Sequence, residues 1–402
     1  MSIVRDVTLQ AAKQLQNDDI LLFIGCRQAG KTTILKQLKT LLEKEQETVC
    51  FLNLEDPDYL GLLNQSPKNI FKIFTMDLKK KVFLFVDEIQ YLEDPSNFLK
   101  YLYDEYKGKI KLLVSGSSAF YLDKKFKDSL AGRKRIYFVP TLSFHEFLRF
   151  KGENTLAGKD LRRLSLSENE KASLHYREYL IYGGYPKVVL AGREEKEDHL
   201  REIAYAYIKK DIHEAHIRQE GLFYKLFKIL AAQTGSLVNA SELAATLGVS
   251  KTAVDHYLSI MQKSFHIHLV KPFFNNIRKE LTKMPKAYFL DLGLRNFFAG
   301  DFRGFSQRQD RGLLLENAVF RQLSERYELD EIKFWRTIQQ HEIDFVVGER
   351  EAFEVKTDPG KIKAKSYQPF IENYPDIPLS LVSLEAQQEL SGAFKVAEAW
   401  QL

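Results

Sequence analysis

The sequence predicts an α/β protein of several domains, and three observations predict it. Short apolar strands alternate with helical stretches from residue 19 to about 150, apolar positions then recur at helical spacing to about 261, and strands return after about residue 305. With 402 residues, and roughly 100 to 200 residues per domain, the chain has room for two to four domains that each bury a core. Its 45% hydrophobic and 28% charged residues are those of an ordinary folded protein, which excludes disorder and fibrous repeats.

The first five strands are expected at 20–25, 49–54, 82–87, 111–115 and 135–139, and their alternation with helices reads as a parallel sheet covered by helices. A polar stretch, 151–171, loses this pattern and marks a boundary. The helical region that follows is interrupted at Gly183-Gly184-Tyr185-Pro186, which precludes a continuous helix. Near Arg311 a helix-like run leads into strands around 333–335, 343–347 and 352–356. The resulting divisions are 1–150, 151–235, 236–304 and 305–402.

No apolar run approaches the roughly 18 residues that span a bilayer, and residues 1–16 lack a secretory pattern. Cys26 and Cys50 lie in apolar, strand-like surroundings and read as buried thiols of a reducing compartment. A cytoplasmic protein without a membrane partner is expected. The formal charge, 59 − 54 = +5, is compatible with nucleic-acid contact and too small to prove it.

The sharpest motif is Gly25-Cys26-Arg27-Gln28-Ala29-Gly30-Lys31-Thr32, followed by Thr33, between an apolar strand and an amphipathic helix. This is the G-x-x-x-x-G-K-T phosphate loop. Its glycines let backbone N–H groups face phosphate oxygens, Lys31 reaches the β and γ phosphates, and the Thr32 hydroxyl can ligate Mg²⁺. The apolar run 82–86 ends in Asp87 and Glu88, where Asp87 would hold Mg²⁺ through water and Glu88 would polarise the attacking water. A further strand ends at Ser115-Gly116-Ser117-Ser118, and Ser117 is the candidate γ-phosphate sensor. Arg133 is either an arginine presented to the γ-phosphate of a neighbouring subunit or part of a solvated basic loop.

The order of these motifs, with Leu142-Ser143-Phe144-His145-Glu146-Phe147, Gly183-Gly184-Tyr185-Pro186 and Tyr288-Phe289-Leu290-Asp291-Leu292-Gly293, resembles the AAA-type P-loop ATPases of bacteria and archaea that carry a C-terminal domain of unknown function. The resemblance spans essentially the whole chain. It implies an ATP-hydrolysing core with a helical lid at 151–235, and it fixes architecture better than cellular task.

Residues 241–258 have the form of a helix-turn-helix, with Gly248 at the turn and Ser250 as a cap, and suggest a winged-helix module at 236–304. The following stretch, 262–286, holds six Lys or Arg at 263, 271, 278, 279, 283 and 286 against one acid, Glu280, interleaved with Phe265, Phe273 and Phe274. That composition suits a phosphate backbone and equally a domain interface, and Asp255 in the second helix is unfavourable for the former.

In the last region Asp344 is followed after nine residues by Glu354 and then Lys356, the spacing of the restriction-endonuclease-like fold, PD-(D/E)XK type. A proline is usual before the first Asp, and Ile343 stands there instead. Glu354 and Lys356 are two apart and share a strand face, so Asp344 and Glu354 are candidate Mg²⁺ ligands, with Lys356 near the attacking water, and Glu316 on the preceding helix resembles the additional acid often found in that fold. His341 reads as a surface residue, and His266-x-His268 lacks a third zinc ligand.

The expectation is therefore an ATP- and Mg²⁺-dependent ATPase that acts on or with DNA through a winged helix and a nuclease-like domain. The alternative is a nucleotide-controlled DNA- or protein-binding switch with a catalytically silent nuclease-like fold. A homo-oligomer or a protein partner is compatible with either.

Overall fold

The computed structural model describes residues 3–116, 130–214, 217–273, 283–358, 364–385 and 394–402. The chain divides into two compact units, Met1–Pro140 with Lys263–Phe265, and Thr141–Gln262 with His266–Leu402.

The first unit is built on β1 (Ile20–Ile24), β2 (Thr48–Asn53), β3 (Val82–Asp87), β4 (Ile110–Gly116) and β5 (Lys134–Phe138). They form one parallel sheet in the order β2-β3-β4-β1-β5. The continuous apolar runs of β1 and β3 follow from this order, because central strands of a helix-covered parallel sheet are buried on both faces. The edge strand β5 instead leaves Ile136 and Phe138 exposed. Helix Lys31–Lys44 buries Ile34, Leu35, Leu38 and Leu42, one face at helical spacing. Since β1, β3 and β4 run the same way, their last residues share one edge of the sheet, where ligands of open α/β sheets bind.

The second unit begins with helices and ends in a mixed sheet. The strands β6 (Ile267–Pro272), β7 (Lys286–Phe289), β8 (Ile332–Arg336), β9 (Glu342–Val347), β10 (Glu351–Val355), β11 (Leu379–Ser383) and β12 (Lys395–Glu398) follow the order β12-β11-β10-β9-β8-β6-β7. The division drawn at 304/305 thus runs through one sheet: β6 and β7 pair antiparallel, and β6 pairs in parallel with β8.

Two of the sequence motifs interlock in this unit. Helix Leu166–Tyr182 ends at Gly183, whose φ of +71° lies in the left-handed region. A Cβ there would stand 2.4 Å from Asp291 Oδ1, and one at Gly293 would stand 2.1 Å from the Tyr182 carbonyl oxygen. Asp291 accepts from the N–H groups of Gly184 and Leu294, both at 2.9 Å, and so caps helix Leu292–Ala299. Gly183-Gly184 and Asp291-Leu292-Gly293 are therefore the two halves of one packing joint.

Helices Ala240–Leu247 and Lys251–Lys263 are separated by Gly248 at φ +68° and precede the antiparallel pair β6 and β7. Among the described residues no helix is long and apolar enough to cross a membrane.

Candidate functional site

The phosphate loop leaves β1 at Gly25. A Cβ at that position would lie 2.0 Å from the Val139 carbonyl oxygen, so only glycine fits between the loop and the chain leaving β5. Gly30, at φ +98°, is the N-cap of helix Lys31–Lys44 and supplies no capping side chain, which leaves the positive helix terminus to an anion. Cys26, Arg27 and Ala29 are buried, Gln28 and Thr32 are half-buried, and Thr33 is exposed. Lys31 is 5% exposed, and its Nζ donates to the carbonyl oxygens of Gly25 at 3.0 Å and Cys26 at 2.8 Å.

A residue outside the motif fastens this loop. Arg5 is buried and donates to the Ala29 carbonyl oxygen at 2.6 Å and to that of Pro140 at 3.0 Å. Nothing in the spacing of the loop signals it; its one sequence trace is an arginine just before the helix Asp6–Ala12.

Asp87 ends β3 in burial, and the Thr32 hydroxyl hydrogen-bonds its carboxylate. Ser115, at the end of β4, donates to Asp87 Oδ1 and accepts from the Glu88 N–H at 3.1 Å. Burial pushes the Asp87 carboxyl above its ordinary pKa, while hydrogen bonds from Ser115 and Thr32 and the charge of Lys31 pull the other way. Glu88 is held at φ +59°, ψ +48°, a left-handed conformation uncommon for a residue with a side chain, and Gln90 Nε2 donates to its carboxylate. Lys31, Thr32, Asp87, Glu88 and Ser115 thus share one sheet edge. Thr32 and Asp87, oxygen donors already in contact, fit a Mg²⁺ ion as its ligands.

Two expectations do not join this group. Ser117 lies outside the described residues, and Ser115 is the hydroxyl that meets Asp87. Arg133 sits at the other end of the sheet: its carbonyl oxygen accepts from the Ile20 N–H, at the start of β1, about 16 Å from the loop at about 3.3 Å per residue. Its guanidinium is paired with Asp104 at 2.9 Å. Within one chain, Arg133 is out of reach of the phosphate loop.

The second unit gathers Asp344, Glu354, Lys356 and Glu316. The Val355 N–H donates to Asp344 Oδ2 at 2.8 Å, and the Asp344 N–H donates to Glu354 Oε2 at 3.3 Å. Lys356 Nζ and the Tyr367 hydroxyl donate to Glu354 Oε1 at 2.5 and 3.2 Å. Glu316, on helix Arg311–Arg326, accepts from the Tyr288 hydroxyl at 2.5 Å. Burial first, and then the Asp344 charge, raise the carboxyls of both Glu316 and Glu354.

Lys286 enters the middle of this group. Its Nζ lies 2.5 Å from Glu342 Oε1, 3.2 Å from Glu316 Oε1 and 3.9 Å from Asp344 Oδ1. Burial alone would lower its pKa, but the charges of Glu316, Asp344 and Glu342 outweigh burial and hold it above the ordinary lysine value. Among the described residues no set of three or more His, Cys, Asp or Glu is arranged to hold a metal ion. The three candidate ligands therefore converge but do not fit a Mg²⁺ ion as they stand.

Two members of the basic stretch are placed by these contacts. Lys286 belongs to the carboxylate cluster and not to a phosphate-facing surface, and Phe273 is buried in an apolar cluster with Trp335 and Phe370. Arg278, Lys279, Glu280 and Phe274 lie outside the described residues. On helix Lys251–Lys263 the exposed positions include both Lys251 and Asp255. His268 stacks on Phe320, with ring centroids 5.9 Å apart.

Residues 17–148 match the family model described as AAA domain, which contains the five-stranded sheet and its loop. Residues 173–303 and 311–400 match two models each described as a domain of unknown function, DUF8612 and DUF4143. The chain is 27% identical over 86% of its length to an uncharacterized protein of Haemophilus influenzae, covering 83% of it. It is 26% identical over 95% of its length to an uncharacterized protein of Methanocaldococcus jannaschii, covering 84% of that protein. It overlaps the Aeropyrum pernix ORC2 protein (ADP form) over 67% of this chain and 87% of that one, at 15% identity and a TM-score of 0.36. The family match and the geometry agree on residues 17–148: an AAA-type, nucleotide-binding α/β unit with a parallel sheet of five strands.

Proposed function

We propose that this chain is a Mg²⁺-dependent ATPase working as a nucleotide-controlled switch, with a C-terminal sheet that binds a partner and does not cleave nucleic acid. The observation that carries the first half is the meeting of Lys31, Thr32 and Ser115 with Asp87 at one sheet edge. In this reading the loop 25–33 cradles the phosphates, and Lys31 leaves the Gly25 and Cys26 carbonyls for the β and γ phosphates. Thr32 and Asp87 would hold Mg²⁺, which would neutralise phosphate charge. Glu88 orients and polarises the attacking water, and Gln90 holds its carboxylate in place.

The second half rests on Lys286, which stands among the carboxylates that a nuclease centre would need for metal. The competing reading, a Mg²⁺-dependent nuclease at Asp344, Glu354 and Lys356, has in its favour the direct linkage of Asp344 with Glu354. DNA remains a partner to test and not a premise, since the exposed side of helix Lys251–Lys263 carries both signs of charge.

One preparation tests both halves. ATP hydrolysis should be abolished in Lys31→Ala and Glu88→Gln, with nucleotide binding retained in the latter; unchanged turnover in Lys31→Ala refutes the site. Duplex DNA, single-stranded DNA and RNA should stay intact with Mg²⁺ or Mn²⁺. Cleavage that disappears in Asp344→Ala would establish the nuclease instead.

A further inference from the structure

We infer that Lys286 is the resident cation of the C-terminal carboxylate cluster, a side-chain ammonium standing where a divalent ion would otherwise bind, and that removing it creates a metal site. The inference deepens the proposed reading of a non-cleaving C-terminal centre and is independent of the ATPase.

The geometry is that of a cation in a carboxylate cage. Glu342, Glu316 and Asp344 approach the ammonium at 2.5, 3.2 and 3.9 Å, the first and last from β9 and Glu316 from the helix Arg311–Arg326, and the Phe334 ring lies 5.3 Å from it. The Lys286 side chain is 3% exposed. A hard divalent cation takes its oxygen ligands at about 2.0 to 2.6 Å, so it and the ammonium cannot share these oxygens. Lys356 acts at the other end of the cluster, 2.5 Å from Glu354 Oε1, and shares the charge of Asp344 with Lys286.

The backbone fixes the ammonium in place. Lys286 opens β7, is in register with Val270 of β6 and is bridged on its other side by Leu237. The neighbouring carbonyls of Pro285 and Ala287 accept from the N–H groups of Val238 at 2.7 Å and Gly235 at 3.0 Å. Gly235, at φ +76°, closes over Glu316: a Cβ there would lie 2.9 Å from Oε1. A lysine on a strand held from both sides has little freedom to swing away, and leaving would bare the largely buried carboxylates of Glu316 and Asp344 to one another.

The test is a Mn²⁺ titration of the full-length, nucleotide-free chain followed by electron paramagnetic resonance, comparing wild type, Asp344→Asn, Lys286→Met and Lys286→Met with Asp344→Asn. Any Mn²⁺ at the phosphate loop is common to all four, so only the Asp344-dependent component is read. Wild type and Asp344→Asn should bind alike. Lys286→Met should gain about one Mn²⁺ per chain and a Mn²⁺-dependent rise in melting temperature that wild type lacks, and the double variant should lose both. Lys286→Arg, which keeps the cation, should gain nothing. Asp344-dependent Mn²⁺ binding by wild type would overturn the inference, and so would a folded Lys286→Met that binds none. If Lys286→Met does not fold even with Mn²⁺, Lys286→Gln, which keeps all three carboxylates and a polar side chain, is judged by the same outcomes. Wild type that binds Asp344-dependent Mn²⁺ without cutting nucleic acid sinks this inference alone, whereas metal-dependent cutting sinks the non-cleaving reading as well.

Discussion

Two buried lysines divide the chemistry of this molecule. Lys31 of the first unit donates to the backbone carbonyls of Gly25 and Cys26, whereas Lys286 of the second is enclosed by Glu316, Glu342 and Asp344. Neutral carbonyls stabilise an ammonium through partial charges, and a phosphate bearing full negative charge outcompetes them. Carboxylates satisfy it completely and leave no deficit for a ligand to fill. The same residue type is therefore poised in one place and committed in the other, and the difference lies in the charge of its partners.

The largest effect should come from breaking the committed lysine. Lys286→Met leaves Glu316, Glu342 and Asp344 without their shared cation, and removing one partner of a buried ion pair costs about 3 to 5 kcal/mol. Denaturant unfolding of the full chain should show this loss. A change within about 0.5 kcal/mol, the range of ordinary surface substitutions, would mean that Lys286 contributes no more than an exposed side chain.

On the poised side, Glu88→Gln should lower ATP turnover by about 10²- to 10⁴-fold, the usual contribution of a positioned general base, while binding is kept. Steady-state hydrolysis and equilibrium binding separate the two. Equal loss of both would assign Glu88 to the architecture of the loop, where its left-handed backbone and its bond from Gln90 already place it under constraint.

How far the sequence disclosed these two places follows from how local each one is. The phosphate loop is contiguous, and its order from Gly25 to Thr32 carries its own geometric requirement. The strand ending in Asp87 was legible for the same reason: an apolar run stops in a carboxylate. Lys286 was hidden because its partners are 30, 56 and 58 residues away at Glu316, Glu342 and Asp344, and only the pairing of β6 with β8 brings its hairpin to them. From composition alone it counted as one more cation in a basic stretch. Arg133 stands apart from the loop of its own chain for a topological reason: a residue just before a parallel strand lies at the opposite end of the sheet from a loop just after its neighbour. Gly183-Gly184 and Asp291-Leu292-Gly293 were visible as motifs, but only contact shows that they fit each other.

Arg5 sharpens the account of the poised side. It ties the Ala29 carbonyl of the loop to that of Pro140, so it acts on the nucleotide through the loop and is a positioning residue. Arg5→Met should weaken ATP binding by roughly tenfold, about 1.4 kcal/mol, through a loop less well organised before the ligand arrives. Arg5→Lys, which keeps one donor group, should lose less. Equal affinity in Arg5→Met and wild type by calorimetry would show that the loop needs no such fastening.

His268, a half-buried base, extends the comparison to a group that faces no carboxylate cage. His268 stacks on Phe320, and burial lowers its pKa to about 4, with Lys271 adding to the fall and the charge of Asp330 and the Leu329 backbone opposing it. The unfolded chain, with an ordinary histidine pKa near 6.5, therefore binds the proton that the folded chain refuses between about pH 6.5 and 4. Stability from this group is present above that window and is lost as pH falls through it, by about 1 kcal/mol between pH 6 and 5. Glu316 and Glu354, whose carboxyls are raised, work in the opposite direction, so the quantity to measure is the difference between wild type and His268→Gln at each pH. That difference should shift against wild type on acidification. A difference that stays flat from pH 7 to 4 would mean that His268 takes up its proton in the folded chain, and that the ring of Phe320 accommodates a cation as the carboxylates around Lys286 do.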